Sequence, residues 1–160
     1  MVVSNTSPLM NLAIIGRLEL LRDSSGMIHV PIAVWSELVI QGKDKPGSED
    51  IANAAWIQTH VVQNQHLVKT LQEHLDQGES EAIVLALELP ATLILLDEFE
   101  GRRIAEQYGL TKTGILGVLL NAKKQGVIPS LKVEMDKLRR DAHFWIAEPL
   151  YEKLLRAAGE

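Results

Sequence analysis

The chain places acidic and amide side chains where predicted strands end or helices begin. These residues are Asn5, Glu37, Glu79, Glu81, Asp97 and Glu98, with the hydroxyls of Thr6 and Ser7 beside the first. Several carboxylates brought to one crevice repel each other, and a hard divalent cation relieves that repulsion. Mg²⁺ and Mn²⁺ prefer oxygen ligands, commonly one or two carboxylates together with phosphate oxygens of a substrate. The pattern therefore predicts a metal site that could activate water and hold a phosphodiester.

Each candidate also has a purely structural interpretation. The polar residues 5–7 are typical of turns and helix N-caps, Glu37 can be a solvated helix carboxylate, and Asp97 can cap the following helix. Glu79 and Glu81 favour the positive end of a helix dipole. Because they are two residues apart, they point to nearly opposite sides of a helix and cannot both reach one ion. Glu81 lies nearer the apolar run and is the favoured ligand, with Glu79 as a helix-start residue or a support for the site.

Apolar periodicity predicts the elements that would position these residues. The strands are predicted at Met1–Ser4, Met27–Val30, Thr59–Gln63 and Leu93–Leu96, with a fifth near Lys112. Helices separate them, and such an alternation favours right-handed crossovers and a parallel sheet covered on both faces. The prediction is therefore one three-layer α/β/α domain over residues 1–160, with about five parallel strands and C-terminal helices from about residue 130. Sites in such folds lie beyond the carboxyl ends of the strands.

Local signals predict several helix boundaries. Ser7 is the predicted N-cap of the first helix, and Ser48 is the predicted cap of a helix that contains Ile51. Residues Glu79–Leu89 are apolar nearly all round in their middle, which indicates a buried helix.

Composition excludes several classes of protein. The chain has 160 residues and no cysteine, so disulfide frameworks, thiolate zinc sites and cysteine nucleophiles are excluded. A net charge of −5 disfavours a broad basic surface for duplex DNA but is compatible with an acidic metal site. No apolar run approaches the ~18 residues of a membrane span, and no signal peptide is recognisable, so we expect a cytoplasmic protein without a membrane partner.

Five segments of the sequence resemble the PIN domain superfamily. They read VVSNTSPLMNL, VPIAVWSELV, GESEAIVLALEL, LILLDEFEGRRIAEQYGL and TGILGVLLNAKKQGVI, and they occur in order with appropriate spacing. The resemblance runs from about Val2 to Ile128, with a weaker similarity in the tail LYEKLLRAAGE. It is strongest to short prokaryotic PIN-like proteins related to VapC-type toxins.

The resemblance implies a PIN-like fold and a metal-dependent ribonuclease that uses acidic residues around Mg²⁺ or Mn²⁺. It also implies an RNA substrate, an antitoxin protein as partner, and a homodimer. The acidic positions of the family fall on Asn5, Glu37, Glu81 and Asp97, or on Glu98 after a one-residue shift, and the hydroxyl pair after the first acid falls on Thr6 and Ser7.

One position departs from the family pattern. Asn5 stands where the family has aspartate, and an amide oxygen can coordinate a hard cation but brings no charge and cannot act as a base. Metal affinity and turnover should therefore be lower than in the family. The alternative interpretation is a catalytically silent PIN-like module that binds RNA or a protein.

The remaining polar and aromatic residues allow two interpretations each. Arg102 and Arg103 follow Asp97 closely, so one of them could bind an RNA phosphate or balance the acids, or both could make ordinary surface ion pairs. The five histidines share no ligand spacing. The three tryptophans, Trp145 among them, are predicted to anchor the core or an interface rather than to stack on bases.

Overall fold

Five parallel strands form the centre of the computed structural model, which describes residues Met1–Glu160. In chain order they are β1 (Val2–Ser4), β2 (Ile28–Pro31), β3 (Ile57–His60), β4 (Leu93–Leu95) and β5 (Lys112–Thr113). Their order across the sheet is β3-β2-β1-β4-β5, and every neighbouring pair is parallel. The predicted parallel sheet of about five strands is confirmed.

Helices connect the strands and also form the C-terminal region. They are α1 (Thr6–Ile14), α2 (Glu19–Ser25), α3 (Ile32–Trp35), α4 (Ser48–Ala52), α5 (Gln65–Leu71), α6 (Gln77–Glu88), α7 (Phe99–Gln107), α8 (Ile115–Lys124), α9 (Leu131–Asp141) and α10 (Glu148–Ala157). Helix α3 continues directly into a π-helical segment, Ser36–Ile40. None of these helices combines the length and the apolarity that a membrane crossing requires.

Alternate residues of the central strands pack on opposite faces of the sheet. Val2 and Leu95 belong to an apolar cluster on one face, whereas Val3 and Ile94 belong to a second cluster on the other. A side-chain period of two in strands places successive residues on opposite faces, and helices cover both faces here. The α/β/α layering predicted from the sequence is therefore confirmed.

The two C-terminal helices pack on the first of these clusters. Leu131, Met135 and Leu138 of α9 are fully buried in it, and Tyr151 of α10 joins them. Glu134 is also buried, and it accepts hydrogen bonds from the guanidinium of Arg17 at 2.8 and 3.1 Å. Charge pairing of this kind is required when a carboxylate is taken out of water.

Three local boundaries differ from the prediction. The third strand lies at Ile57–His60 rather than Thr59–Gln63, because Ile57 pairs with Ile28 of β2 and the chain leaves the sheet after His60. The N-cap of α1 is Asn5 rather than Ser7. Ser48 is the first residue of α4 rather than its cap, and its hydroxyl donates to the carbonyl of Leu38.

The direction in which the strands are added changes at β1. Strands β2 and β3 lie on one side of it, and β4 and β5 lie on the other. The carboxyl ends of β1 and β4 therefore border a crevice, which is the usual ligand position in doubly wound sheets. Asn5 follows β1 and donates its backbone N–H to the carbonyl of Leu95. This bond places Asn5 and Asp97 at the same edge of the sheet.

Two histidines form a hydrogen-bonded pair across strands β2 and β3. Nδ1 of His29 lies 2.8 Å from Nε2 of His60, so one nitrogen donates a proton and the other must accept it. His29 is buried. Burial lowers its pKa, and the positive charges of His60 and of the Met1 amino group lower it further.

Replacing His29 with glutamine is expected to flatten the dependence of stability on pH. The pKa of folded His29 lies below the ordinary value of 6.5, so the unfolded chain binds more protons as the pH falls below that value. Stability is retained above this range and is lost as the pH falls through it. Urea unfolding of the parent at about pH 7.5 and about pH 5.5 should show a larger loss than that of His29→Gln.

The matched control is His66→Gln, because His66 is exposed on α5 and makes no side-chain hydrogen bond. It should lose as much stability as the parent does. A parent and a His29→Gln variant with the same loss would show that the buried histidine does not control this pH dependence.

Candidate functional site

An open cleft of about 570 Å³ lies at the carboxyl edge of the sheet. It is lined by most of the candidate residues that the sequence identifies: Asn5, Thr6, Ser7, Glu37, Glu79 and Glu98. A second pocket, of about 380 Å³, lies between α2 and α8 and contains none of them. The polar cleft is therefore the candidate site, since most of the residues that the sequence singles out line it.

Asp97 is held by hydrogen bonds from two other elements. Its Oδ1 accepts the backbone N–H of Ile115 at 2.8 Å, and its Oδ2 accepts the hydroxyl of Ser7 at 3.3 Å. Asn11 donates to the same hydroxyl at 3.0 Å. Burial raises the pKa of Asp97, while the hydrogen bonds from Ile115 and Ser7 and the nearby Arg102 guanidinium oppose the rise. Asp97 therefore joins β4, α1 and the start of α8 at one point.

Glu37 reaches the cleft from the π-helical segment. The hydroxyl of Thr6 donates to its Oε2 at 2.8 Å, which orients the carboxylate, and its Oε1 has no hydrogen-bond partner in the protein. π-Helical turns occur often at functional sites because they redirect a side chain from the regular helical position. Thr6 and Glu37 are thus paired, although 31 residues separate them.

Glu79 begins helix α6 and also lines the cleft. It closes a capping box with Asp76: its N–H donates to Oδ1 of Asp76 at 2.8 Å, and its Oε2 accepts the N–H of Asp76 at 3.3 Å. Burial raises the pKa of Glu79, and the negative charges of Asp76, Glu98 and Glu37 add to the rise, while the Asp76 N–H bond opposes it. Burial is the main cause of the raised pKa, and the charges of the three neighbouring carboxylates add repulsion to it.

Three glycines, which the sequence pattern does not single out, make room for three of these acids. A Cβ atom on Gly78 would lie 2.6 Å from Oε1 of Glu37, and one on Gly114 would lie 2.7 Å from Oδ1 of Asp97. A Cβ on Gly101 would lie 3.2 Å from Oε1 of Glu79. Distances under 3.0 Å are forbidden to real Cβ atoms, so at Gly78 and Gly114 any side chain would displace the carboxylate. None of the three has positive φ, so close approach explains them.

Glu81 lies outside the cleft. It is buried in α6, where its Oε2 accepts a hydrogen bond from Nε2 of Gln77 at 2.9 Å, and its Oε1 has no partner. The sequence favours Glu81 over Glu79, whereas the cleft is lined by Glu79. The rotation of α6 about its axis decides which of the two faces the cleft, and packing of the helix sets that rotation.

The two arginines after Gly101 differ in their contacts. Arg102 donates to the backbone carbonyl of Leu96 at 2.9 Å, and its charge acts on Asp97. Arg103 pairs with Glu100 one helical turn away, which is an ordinary surface ion pair. Arg102 therefore offsets part of the negative charge at the end of β4.

The donor atoms in the cleft have the chemistry that a hard cation requires. Oε1 of Glu37 and Oδ1 of Asn5 both face Gly78, because a Cβ there would lie 2.6 and 3.5 Å from them. Glu79 and the exposed Glu98 add further carboxylates. The structure contains no group of three or more His, Cys, Asp or Glu side chains arranged to hold a metal ion. Carboxylate and amide oxygens are the donors that hard divalent cations such as Mg²⁺ and Mn²⁺ prefer, and such ions commonly take only one or two carboxylates from the protein.

Asp97→Ala is expected to destabilise the fold by about 1–2 kcal/mol, because the N–H of Ile115 at the start of α8 loses its acceptor. Asp97→Asn retains an oxygen for that N–H and removes a charge whose burial is unfavourable. This variant should unfold at a urea concentration equal to or above that of the parent. If Asp97→Ala were as stable as Asp97→Asn, the hydrogen bond from Ile115 to Asp97 would not contribute to the stability of the fold.

Comparison with known proteins agrees with this geometry. No curated protein matches the chain. The model of the family DUF3368, described as a PIN domain, matches residues 1–160. The match spans the whole described chain, including the parallel sheet and the acidic cleft, and it confirms the resemblance seen in the sequence. This chain therefore belongs to the PIN domain family.

Proposed function

We propose that this protein is a metal-dependent endoribonuclease that uses Mg²⁺ or Mn²⁺ and is weakened by Asn5. PIN domains are generally nucleases that use divalent metals, so family membership supports a nuclease acting on RNA. The observation that supports the proposal most directly is that side-chain oxygens of Asn5 and Glu37 both lie beside Gly78, within 3.5 Å of the position that a Cβ would occupy there. Residues from β1, the π-helical segment and α6 converge there although the sequence separates them widely.

We assign the metal-ligand role to Asn5, Glu37 and Glu79, with Asp97 at the adjacent strand end. Each of the first three has a side-chain oxygen that accepts no hydrogen bond from the protein and is free to bind a cation. Glu98 is exposed at the rim and can take part, whereas the role of Glu81 as a ligand stays a prediction. When bound, such an ion supplies a Lewis acid that activates water and offsets phosphate charge.

The protein's own groups orient and neutralise the acids. Thr6 holds one oxygen of Glu37, and the N–H of Asp76 holds one oxygen of Glu79, so each carboxylate presents its other oxygen. Asp97 differs, since Ile115 and Ser7 each donate to one of its two oxygens and so fix the whole carboxylate. Preorganised ligands lose little side-chain entropy on binding, which favours a precise position for a phosphodiester.

A specific observation favours the alternative, a catalytically silent module that binds RNA or a protein. Asn5 contributes no charge, and the chain lacks a group of three acidic or imidazole ligands in metal-binding arrangement. Both features lower the affinity for a divalent cation. The alternative shares the fold and the cleft, so only measurements of metal binding and cleavage separate the two.

Three further parts of the proposal depend on the resemblance of the sequence. They are a toxin role with an antitoxin partner, a homodimer, and a cytoplasmic location. The structure describes one chain, and each of the three stays a prediction.

The parent protein is expected to cut single-stranded RNA in Mg²⁺ or Mn²⁺ and to lose this activity in EDTA. Glu37→Gln should lower cleavage by about 10-fold or more, since removal of one ligand charge costs at least about 1.4 kcal/mol of binding or transition-state stabilisation. Gly78→Ala should also lower it, because the added Cβ displaces the free oxygen of Glu37. Time courses on end-labelled RNA measure both.

The matched control is Glu152→Gln, an exposed carboxylate on α10 without an ion pair. It should cut as fast as the parent. Activity that survives EDTA, or that Glu37→Gln and Glu152→Gln reduce equally, would contradict the proposed site. A parent that binds RNA and cuts none would support the silent module.

Asn5→Asp is expected to raise both metal affinity and cleavage. The substitution adds one negative charge with almost no change of volume, and the side-chain amide of Asn5 makes no hydrogen bond that would be lost. Coulomb attraction at ligand distance is large even at an effective dielectric near 20, so a gain of about 10-fold is expected. Isothermal titration with Mn²⁺ and RNA time courses measure the two effects.

Stability gives a second measure of the same substitution. Without metal, Asn5→Asp should melt below the parent because it adds a charge to an acidic cleft, and Mn²⁺ should raise its Tm more than that of the parent. Adding Asp97→Asn in the same background should abolish the gain in cleavage. If Asn5→Asp bound Mn²⁺ no better than the parent, the amide would not be what weakens the site.

A further inference from the structure

Phe99 exposes an aromatic ring at the edge of the acidic cleft. It is the first residue of α7, it lines the cleft, and its side chain is 77% exposed. The chain has only two phenylalanines, and the other, Phe144, packs against the apolar core. Single exposed apolar residues are common on protein surfaces, so exposure alone implies no ligand. Phe99 differs from the others because it lies in the wall of the acidic cleft, where a ligand of the site would contact it.

We propose that Phe99 is the stacking surface for one nucleobase of the RNA strand that enters the cleft. This inference rests on the proposed function, since it names how the same site holds its substrate. Aromatic side chains stack on bases irrespective of sequence, because every base has a flat π face. The base must be unpaired to expose that face, so a single-stranded segment is the form recognised.

The negative charge of the cleft opposes RNA binding, so an uncharged contact is required to hold the strand. The walls beside Phe99 include Glu37, Glu79 and Glu98, and these carboxylates repel the phosphates of RNA. The two nearest arginines are already engaged, Arg102 with a backbone carbonyl and Arg103 with Glu100. A stacking contact supplies affinity without charge, and it is therefore compatible with an acidic cleft.

The backbone fixes the position of Phe99 in the chain close to the acids. Phe99 lies two residues after Asp97, which is held by Ile115 and Ser7, and helix α7 begins at Phe99 itself. A base stacked on this ring therefore belongs to a nucleotide whose phosphate lies at the cleft. Stacking there would position the strand as well as bind it.

A protein interface fits the same ring less well. Glu98, Glu100 and Arg103 surround Phe99 along the chain and are partly or fully exposed. The buried centres of protein interfaces are depleted in charged residues, whereas a nucleotide offers a flat base beside a phosphate. The charged surroundings favour the nucleobase.

The test uses a single-stranded RNA hexamer that carries 2-aminopurine, whose fluorescence is quenched when the base stacks. Binding is measured with Mg²⁺ present, because the uncompensated carboxylates repel RNA, and at short times, so that cleavage does not contribute. The parent should bind and quench the probe, Phe99→Tyr should do the same, and Phe99→Leu should bind about 10-fold more weakly with little quenching. Leucine keeps most of the apolar volume and lacks the flat face. The ratio of the two affinities should not change with salt, because stacking releases no counterions.

The matched control is Trp145→Leu, which removes an aromatic ring that is 83% exposed and does not line the cleft. It should bind and quench as the parent does. Equal binding and quenching by the parent and Phe99→Leu would overturn the inference, as would a parent that neither binds nor quenches the probe. A Phe99→Leu variant that changed only the molecular mass in solution would identify a protein contact and would also overturn it.

The outcome for the proposed function is read separately, from cleavage by the parent and by Glu37→Gln. Cleavage that continues while Phe99→Leu binds and quenches like the parent would reject the stacking role alone. Stacking through Phe99 without any cleavage by the parent would reject the nuclease and retain the role of the ring.

Discussion

Mutual repulsion between carboxylates is the constraint around which this cleft is built. Glu37, Glu79 and Asp97 each have an oxygen held by an N–H or O–H donor, and each also lies against a glycine. The donors stabilise the charges, and the missing Cβ atoms allow the acids to approach the backbone of a neighbouring element. Part of the repulsion is not offset, since the charges around Glu79 raise its pKa. A bound cation would remove what remains.

The sheet determines which acids can meet. A parallel sheet requires a crossover between successive strands, so β1 and β4 become neighbours only because α6 returns the chain to the open side of β1. Asn5 and Asp97 then follow the ends of adjacent strands. The first turn of α6 contributes Glu79 to the same cleft. The apolar clusters on both faces hold these ends rigidly, which a site made of residues far apart in sequence requires.

Much of this arrangement could be predicted from the sequence because it depends on local patterns. Apolar runs followed by polar residues located four strands within about two residues, and the ends of those strands located Asn5 and Asp97. The third strand was displaced because Val61 and Val62 extend the β-rich run although the chain has already left the sheet. The preference for Glu81 over Glu79 as a metal ligand stays a prediction, although Glu79 and not Glu81 lines the cleft. Helical periodicity shows that the two lie on different faces of the helix, and only tertiary packing decides which face borders the cleft, since both residues are buried.

The capping box of α6 was readable from the sequence, since Asp76 and Glu79 have the spacing of an N-cap and its third helical residue. Recognising it would have moved the start of α6 from Glu79 to Gln77, with Glu79 in the first turn, where the helix dipole favours a carboxylate. The roles of Gly78, Gly101 and Gly114 could not be read in this way. A glycine that leaves room for a distant carboxylate has no local signature, because its partner is fixed by the fold.

The uncharged side chain of Asn5 affects the same repulsion between acids. An aspartate there would lie beside Gly78 together with the carboxylate of Glu37, and the two charges would repel each other in the absence of a cation. The amide has the same shape and removes that repulsion, so the cleft is less strained without metal. The same change lowers the attraction that would hold a cation. Stability of the empty site and affinity for the ion therefore vary in opposite directions at this one position.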